Sequence, residues 1–179
     1  MTQKGKNKAV KLAAAAVFLA LALFLPFLTA RIPRVGNAVA PMQLPVMLCG
    51  YVAGGLLGLA VGAAAPLLGC LFFGTPPLLD AVPMAFELAV YGLVTGVFYR
   101  RVFRRNAAGI YGSLLCAMLL GRGAAAAVKI VLLSLGKIQA FNFELFWAEY
   151  VAAAVPAILL QLVLVPLVAA AFQKAKLLE

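Results

Sequence analysis

The chain has 179 residues, with 15 Lys and Arg against 5 Asp and Glu (formal net charge +10), no histidine, 66% hydrophobic residues and a mean hydropathy of +1.09. That composition excludes a water-soluble domain, whose helices and strands need a wet face. It also excludes a nucleic-acid-binding surface, because most of the basic residues stand in short clusters between apolar runs, where membrane orientation signals belong. One integral-membrane domain over residues 1–179 is expected, embedded in the bilayer and touching no nucleic acid.

The first apolar run, residues 9–28, follows Lys4, Lys6, Lys8 and Lys11. It starts like a signal peptide, yet it is long enough to span a hydrocarbon core of about 30 Å and no polar stretch suited to a secreted domain follows. It is therefore read as a permanent helix. Ala9, Ala13, Ala16 and Ala20 make a smooth strip along it, suited to packing inside the bundle or against a partner protein.

From residue 35 to residue 79, 45 consecutive positions carry no charged side chain. The densest part, 41–74, would be about 51 Å long as one helix, too long for one crossing and short for two full ones. Charge parity decides. Two crossings place Arg100, Arg101, Arg104 and Arg105, with Lys174 and Lys176, on the same cytoplasmic side as the first lysines, as the positive-inside rule prefers. Two short helices turning near Gly54 and Gly55 follow, and further apolar runs occupy 81–99, 107–135 and 147–172.

The predicted fold is an all-α, six-transmembrane-helix bundle with both termini cytoplasmic and helices near 9–29, 41–54, 56–74, 81–100, 107–135 and 147–173. Outer loops fall near 30–41, 74–80 and 136–146. The second of these is stiffened by Pro76 and Pro77, residues that also lack a backbone donor. Cytoplasmic connections are tight or basic, so a pocket is expected on the outer side. Gly50, Gly54, Gly58 and Gly62, and later Gly92 and Gly96, recur every fourth residue, a spacing that lets helix backbones approach closely in lipid. Cys49, Cys70 and Cys116 lie inside apolar runs without CxxC spacing and read as membrane-core thiols.

Glu87, Arg122, Lys129 and Glu149 need a reason to be there, since a charge at the membrane centre costs about 3 kcal/mol or more. At 1.5 Å per residue, Glu87 and Lys129 lie roughly 9 Å below the outer surface and Arg122 about 10 Å deeper. Arg122 and Lys129 are two helical turns apart on one face. Glu149 sits at the outer mouth of the last helix, between Trp147 and Tyr150. One account is an ion pair of Glu87 with Lys129 or Arg122 that holds helices together; the other, favoured for the set, is a polar pocket for a small solute. Tyr91 and Gln161 line its floor or bond to neighbouring helices.

No Walker A loop, GxSxG elbow or HExxH helix is present, and no nucleophile or metal constellation assembles. No enzyme, cofactor or metal is expected. An evident inverted repeat, as in secondary transporters, is also lacking.

Three segments carry a resemblance: residues 41–50 (PMQLPVMLCG), 58–62 (GLAVG) followed by Pro66, and 84–96 (MAFELAVYGLVTG). Together with size, six expected helices and the alanine strip, they resemble the substrate-binding S components of energy-coupling factor (ECF) vitamin transporters. The Gly-Pro turn often seen between the second and third helices of that family is Gly54-Gly55 here.

The resemblance implies a bacterial or archaeal cytoplasmic-membrane protein that binds a vitamin-like molecule from outside. It docks on a membrane coupling (T) protein driven by two cytoplasmic ATPases. Carried over by position, Ala9, Ala13, Ala16 and Ala20 are the docking strip. Arg31, Asn37, Gln43, Thr75, Pro76 and Asp80 belong to gating loops, and Glu87, Arg122, Lys129, Asn142, Trp147 and Glu149 to the pocket. Two basic groups against one deep carboxylate lean toward an anionic or strongly polar ligand, pantothenate-like or folate-like, while Glu87 suits an amine. A stand-alone secondary permease and a structural membrane subunit remain the alternatives from another class.

Overall fold

A computed structural model of the chain describes residues 3–29, 41–102, 107–136 and 155–174. Over these residues the protein is all-helical, with six helices and no strand. They are α1 (Gln3–Thr29), α2 (Gln43–Ala53), α3 (Gly55–Phe73), α4 (Leu78–Arg101), α5 (Ala107–Ser134) and α6 (Val155–Lys174). Four stretches are long and apolar enough to cross a membrane: Lys8–Pro26 of α1, all of α3 and α4, and Ala108–Ser134 of α5. The 11-residue α2 and the Ala157–Gln173 part of α6 are apolar but shorter. Helix is the conformation such sequences must take in lipid, because it satisfies backbone N–H and C=O groups within the segment.

The break between α2 and α3 is built from backbone geometry and one cation. Gly54 adopts φ 107°, a conformation that side chains resist. Its N–H donates to Gly50 O at 3.1 Å, and Gly58 N–H donates back to Gly54 O at 2.9 Å. The carbonyls left over at the end of α2 are met from α4, where Arg100 Nη2 donates to Tyr51 O at 3.3 Å and to Val52 O at 3.2 Å. A cation at a helix C-terminus also complements the helix dipole. Gly54-Gly55 thus needs no proline to hold its shape.

Helices α2, α3 and α4 meet backbone to backbone. A Cβ added to Gly92 of α4 would lie 2.2 Å from Gly58 O of α3, and one added to Gly62 would lie 2.2 Å from Leu88 O. On Gly50 of α2 the same atom would fall 2.4 Å from Gly92 O. The fourfold glycine spacing is therefore internal packing of this bundle. In lipid no hydrophobic force drives helices together, so such close van der Waals approach carries the association.

Contacts between neighbours run from α2 to α4, from α4 to α5, from α5 to α6 and from α6 back to α2. These four form a ring. Helix α3 packs on α2 and α4, and α1 covers α2 and α3.

Gly62→Ala puts a methyl into the Leu88 carbonyl and should destabilise the protein by about 1–3 kcal/mol, the usual cost of overpacking. A Cβ on Gly123 of α5 meets nothing within 4 Å, so Gly123→Ala should change stability by no more than about 0.5 kcal/mol. Thermal unfolding of both variants in the same detergent checks the pair.

Candidate functional site

Four polar residues of α4 stand four apart, at Glu87, Tyr91, Thr95 and Tyr99, and so share one stripe of the helix. At the top of the stripe, Tyr91 Oη donates to Glu87 Oε1 at 2.5 Å. Glu87 is 7% exposed and Tyr91 fully buried, so the carboxylate meets the apolar interior through a charge-assisted hydrogen bond within its own helix. One turn further on, the Thr95 hydroxyl lies 2.7 Å from Tyr91 O and 3.3 Å from Met47 O of α2. At the Arg100 end, the Tyr99 ring meets Tyr51 edge-on at 5.3 Å between centroids. Tyr51 Oη lies 2.9 Å from Ser113 Oγ and donates to Ile110 O of α5 at 3.0 Å. Aromatic and hydroxyl groups therefore fill this end of the ring.

The opposite half holds the charges. Tyr91 lies against bare α5 backbone, since a Cβ on Gly121 would sit 2.2 Å from Tyr91 Cε1 and 3.0 Å from Glu87 O. That seat brings the next residue, Arg122, close enough for its guanidinium to act by charge on the Tyr91 phenol and on Glu87. Lys129, two turns along α5, also acts on Glu87 by charge. Both cations are half-buried. Glu87, Arg122 and Lys129, named from sequence as pocket residues, are therefore brought together.

Across the ring, Gln161 Nε2 of α6 donates to Gln43 Oε1 of α2. Gln161 is fully buried, and its Oε1 has no hydrogen-bond partner among the described residues. Gln43, assigned to the gating segment and lying within the expected 41–54 helix, is the first residue of α2 and is buried at 7% exposure. Its amide gains in Gln161 the partner that a buried polar group needs. The ring thus carries polar side chains from each of its four helices: Gln43, Glu87 with Tyr91, Arg122 with Lys129, and Gln161.

Of the remaining expected site residues, Thr75 and Asp80 are exposed and Pro76 half-buried between α3 and the first turn of α4. Ala9, Ala13, Ala16 and Ala20 are all exposed along α1, beside exposed Val10, Val17, Leu21 and Phe24, while Ala15, Phe18 and Ala22 face the core. Arg31, Asn37, Asn142, Trp147 and Glu149 lie outside the described residues. Two participants were missed by sequence reasoning. Gly121 was detectable as the small residue preceding a buried cation, but its partner was not. Arg100 was read as an orientation signal, and its grip on α2 depends on a contact 49 residues away in sequence.

A family model for the substrate-specific component of ECF transporters matches residues 10–174. The match takes in nearly the whole of the six-helix region, and the chain belongs to that family. It is a multi-pass membrane protein and a transporter component. No curated protein and no solved structure matches the chain.

Tyr91→Phe keeps the ring on Gly121 but removes the proton donated to Glu87. With a buried carboxylate losing a charge-assisted hydrogen bond, stability should fall by about 1.5–3 kcal/mol. Chemical or thermal unfolding in detergent measures it, and an unchanged midpoint would mean that the carboxylate is solvated by other means.

Proposed function

We propose that this chain is the membrane-embedded, substrate-binding subunit of an ATP-driven ECF-type importer for a vitamin or related small metabolite in a bacterial or archaeal cytoplasmic membrane. In this reading all six helices cross the membrane, both termini are cytoplasmic, and the polar half of the α2–α4–α5–α6 ring opens outward. The observation that carries it is the family match over residues 10–174, joined to a charged cluster buried among apolar helices. Intramembrane ionisable groups that converge on a bundle interior mark a solute site by default.

Glu87, Arg122, Lys129 and Gln161 form the described wall of that site, and Asn142, Trp147 and Glu149 complete it. Gln43 joins the wall through its bond to Gln161. Arg31, Asn37 and the Thr75 to Asp80 segment gate the mouth. The Arg100 end stays shut behind Tyr51, Tyr99 and Ser113, so solute released inward must wait for the subunit to move as a body. The sequence offers no phosphate-cradling loop ending in Lys-Ser or Lys-Thr. Energy therefore comes from two partner ATPases through a membrane coupling protein, which docks on the exposed alanine strip of α1.

Reconstitution separates this reading from a secondary permease. The purified chain in liposomes should bind its vitamin from outside without accumulating it, even under a proton or sodium gradient, and uptake should begin when the coupling protein, the ATPases and internal ATP are added. Gradient-driven accumulation by the chain alone would establish the permease instead. Ala16→Trp should abolish co-purification with the coupling protein while leaving vitamin affinity unchanged, because helices approach closely where side chains are small. Continued co-purification would place the strip outside the docking surface.

A further inference from the structure

Among the described residues, the side-chain oxygen of Gln161 is a buried acceptor to which no group donates. Gln161 is fully buried, its Nε2 donates to Gln43 Oε1, and its Oε1 has no hydrogen-bond partner. The buried hydroxyls of the ring are bonded, Thr95 to Tyr91 O and Ser113 to Ile110 O and Tyr51 Oη. A buried acceptor without its bond costs free energy, and an exception of this kind calls for a donor from elsewhere.

Position in the fold points to that donor. Helices α2 and α4 run side by side in the same direction, with Thr95 at Met47 O and Arg100 at Tyr51 O and Val52 O. One turn back from Met47 and Thr95, Gln43 and Tyr91 stand at about the same level, and Tyr91 carries the proton that Glu87 accepts. The Gln43–Gln161 bond therefore joins α2 to α6 in the layer of the polar cluster. The contiguous apolar core takes in Val165 and Ala169, one and two turns further along α6 than Gln161, but not Ala157, which is buried one turn the other way. Ala125, one turn beyond Gly121 on α5, is likewise buried outside that core. Close apolar packing thus ends at Gln161, and small side chains stand beyond it.

Resting on the proposed function above, we propose that Gln161 Oε1 is a specificity-determining acceptor of the solute site, and that the transported molecule presents to it an uncharged N–H or O–H donor. Amide, lactam and ureide nitrogens and hydroxyl groups belong to this class. Gln43 is the positioning residue. By accepting from Gln161 Nε2 it fixes which side of the amide is oxygen and leaves that oxygen to the solute. An ammonium group is the poorer match, because a carbonyl dipole does not neutralise a cation where net charge is costly. A site built around a hydrogen bond rejects an analogue that lacks it, since the buried acceptor is then left unpaired.

The test uses the purified full-length protein and pairs of compounds that differ at one donor: riboflavin and its N3-methyl derivative, biotin and its ureido-N-methyl derivative, pantothenate and its 2-deoxy analogue, nicotinamide and N,N-dimethylnicotinamide. Thermal shift finds the pair that binds, and titration calorimetry gives Kd for both members. In the wild-type protein, loss of the donor should raise Kd by about ten- to a hundredfold. In Gln161→Met the two members should differ by less than about threefold, the non-additivity expected of groups in contact. Gln43→Met should weaken the parent compound yet keep the wild-type preference for the donor, because the acceptor is still present. Size-exclusion profile and helical circular dichroism confirm that the variants are folded, and the wild-type comparison needs no variant.

Equal binding of the two members by wild type, or a preference that persists in Gln161→Met, overturns the acceptor role and leaves the substrate-binding function standing. The same holds if affinity follows a carbonyl of the ligand rather than its N–H or O–H. Loss of the donor preference in Gln43→Met with Gln161 intact overturns the positioning role. If no compound of any kind stabilises the protein, both this inference and the proposed function fail.

Discussion

The backbone contact of α3 with α4 is the constraint on which the remaining arrangement depends. Gly58 and Gly62 of α3 lie so close to Gly92 and the Leu88 carbonyl that a single methyl would not fit at any of these glycines. Lipid supplies no hydrophobic force to draw two apolar helices together, so contact must come from many short-range van der Waals encounters. With one face of α4 pinned in this way, its polar stripe is turned toward α2 and α5. Glu87 and Tyr91 meet α5 at Gly121, Thr95 meets α2 at Met47, and Tyr99 meets Tyr51. Rotation of α4 by a fraction of a turn would bring the carboxylate to lipid and cost the several kcal/mol that an intramembrane charge demands.

Polar groups follow the same economy throughout. Several that lie deep in the bundle bond to a group from the same or an adjacent helix: Tyr91 to Glu87, Tyr51 to Ser113 and Ile110 O, and the Gln161 amide nitrogen to Gln43. Arg100 serves the last carbonyls of α2, a helix of 11 residues that ends at a glycine rather than at a proline turn. These bonds distribute unevenly along the ring. Neutral hydroxyls and rings fill the Arg100 end, where they exclude water and fix the helices. Charged and amide groups gather at the other end, where half-buried Arg122 and Lys129 keep some contact with the surroundings.

The exposure pattern of α1 differs from that of the other helices in kind. Its core-facing residues Ala15, Phe18 and Ala22 hold it on the bundle, with Phe18 edge-on to Phe172 of α6 at 6.4 Å. The opposite side presents alanines between Val17, Leu21 and Phe24. The same small residues that permit close approach on the inside of the bundle, at Gly58 and Gly92, are here turned outward.

The sequence by itself determined the solvent, the helical content and the family. Forty-five residues without a charge leave no wet face, lipid forces the backbone to satisfy itself locally, and the segments around Gly50, Gly58 and Glu87 carried the ECF resemblance that the family match shows. It also singled out Glu87, Arg122 and Lys129, since a charge among apolar residues stands out without any knowledge of its neighbours. Tertiary structure decided what those charges do. That Glu87 bonds to Tyr91, that Gly121 rather than a larger residue seats the phenol, that Gln43 pairs with Gln161, and that Arg100 caps α2 are all contacts set by helix rotation and depth. An apolar helix in lipid carries little periodicity to announce its facing side, because its lipid face and its core face are equally hydrophobic. Rotation is fixed instead by which backbones come closest, and that choice is made between helices.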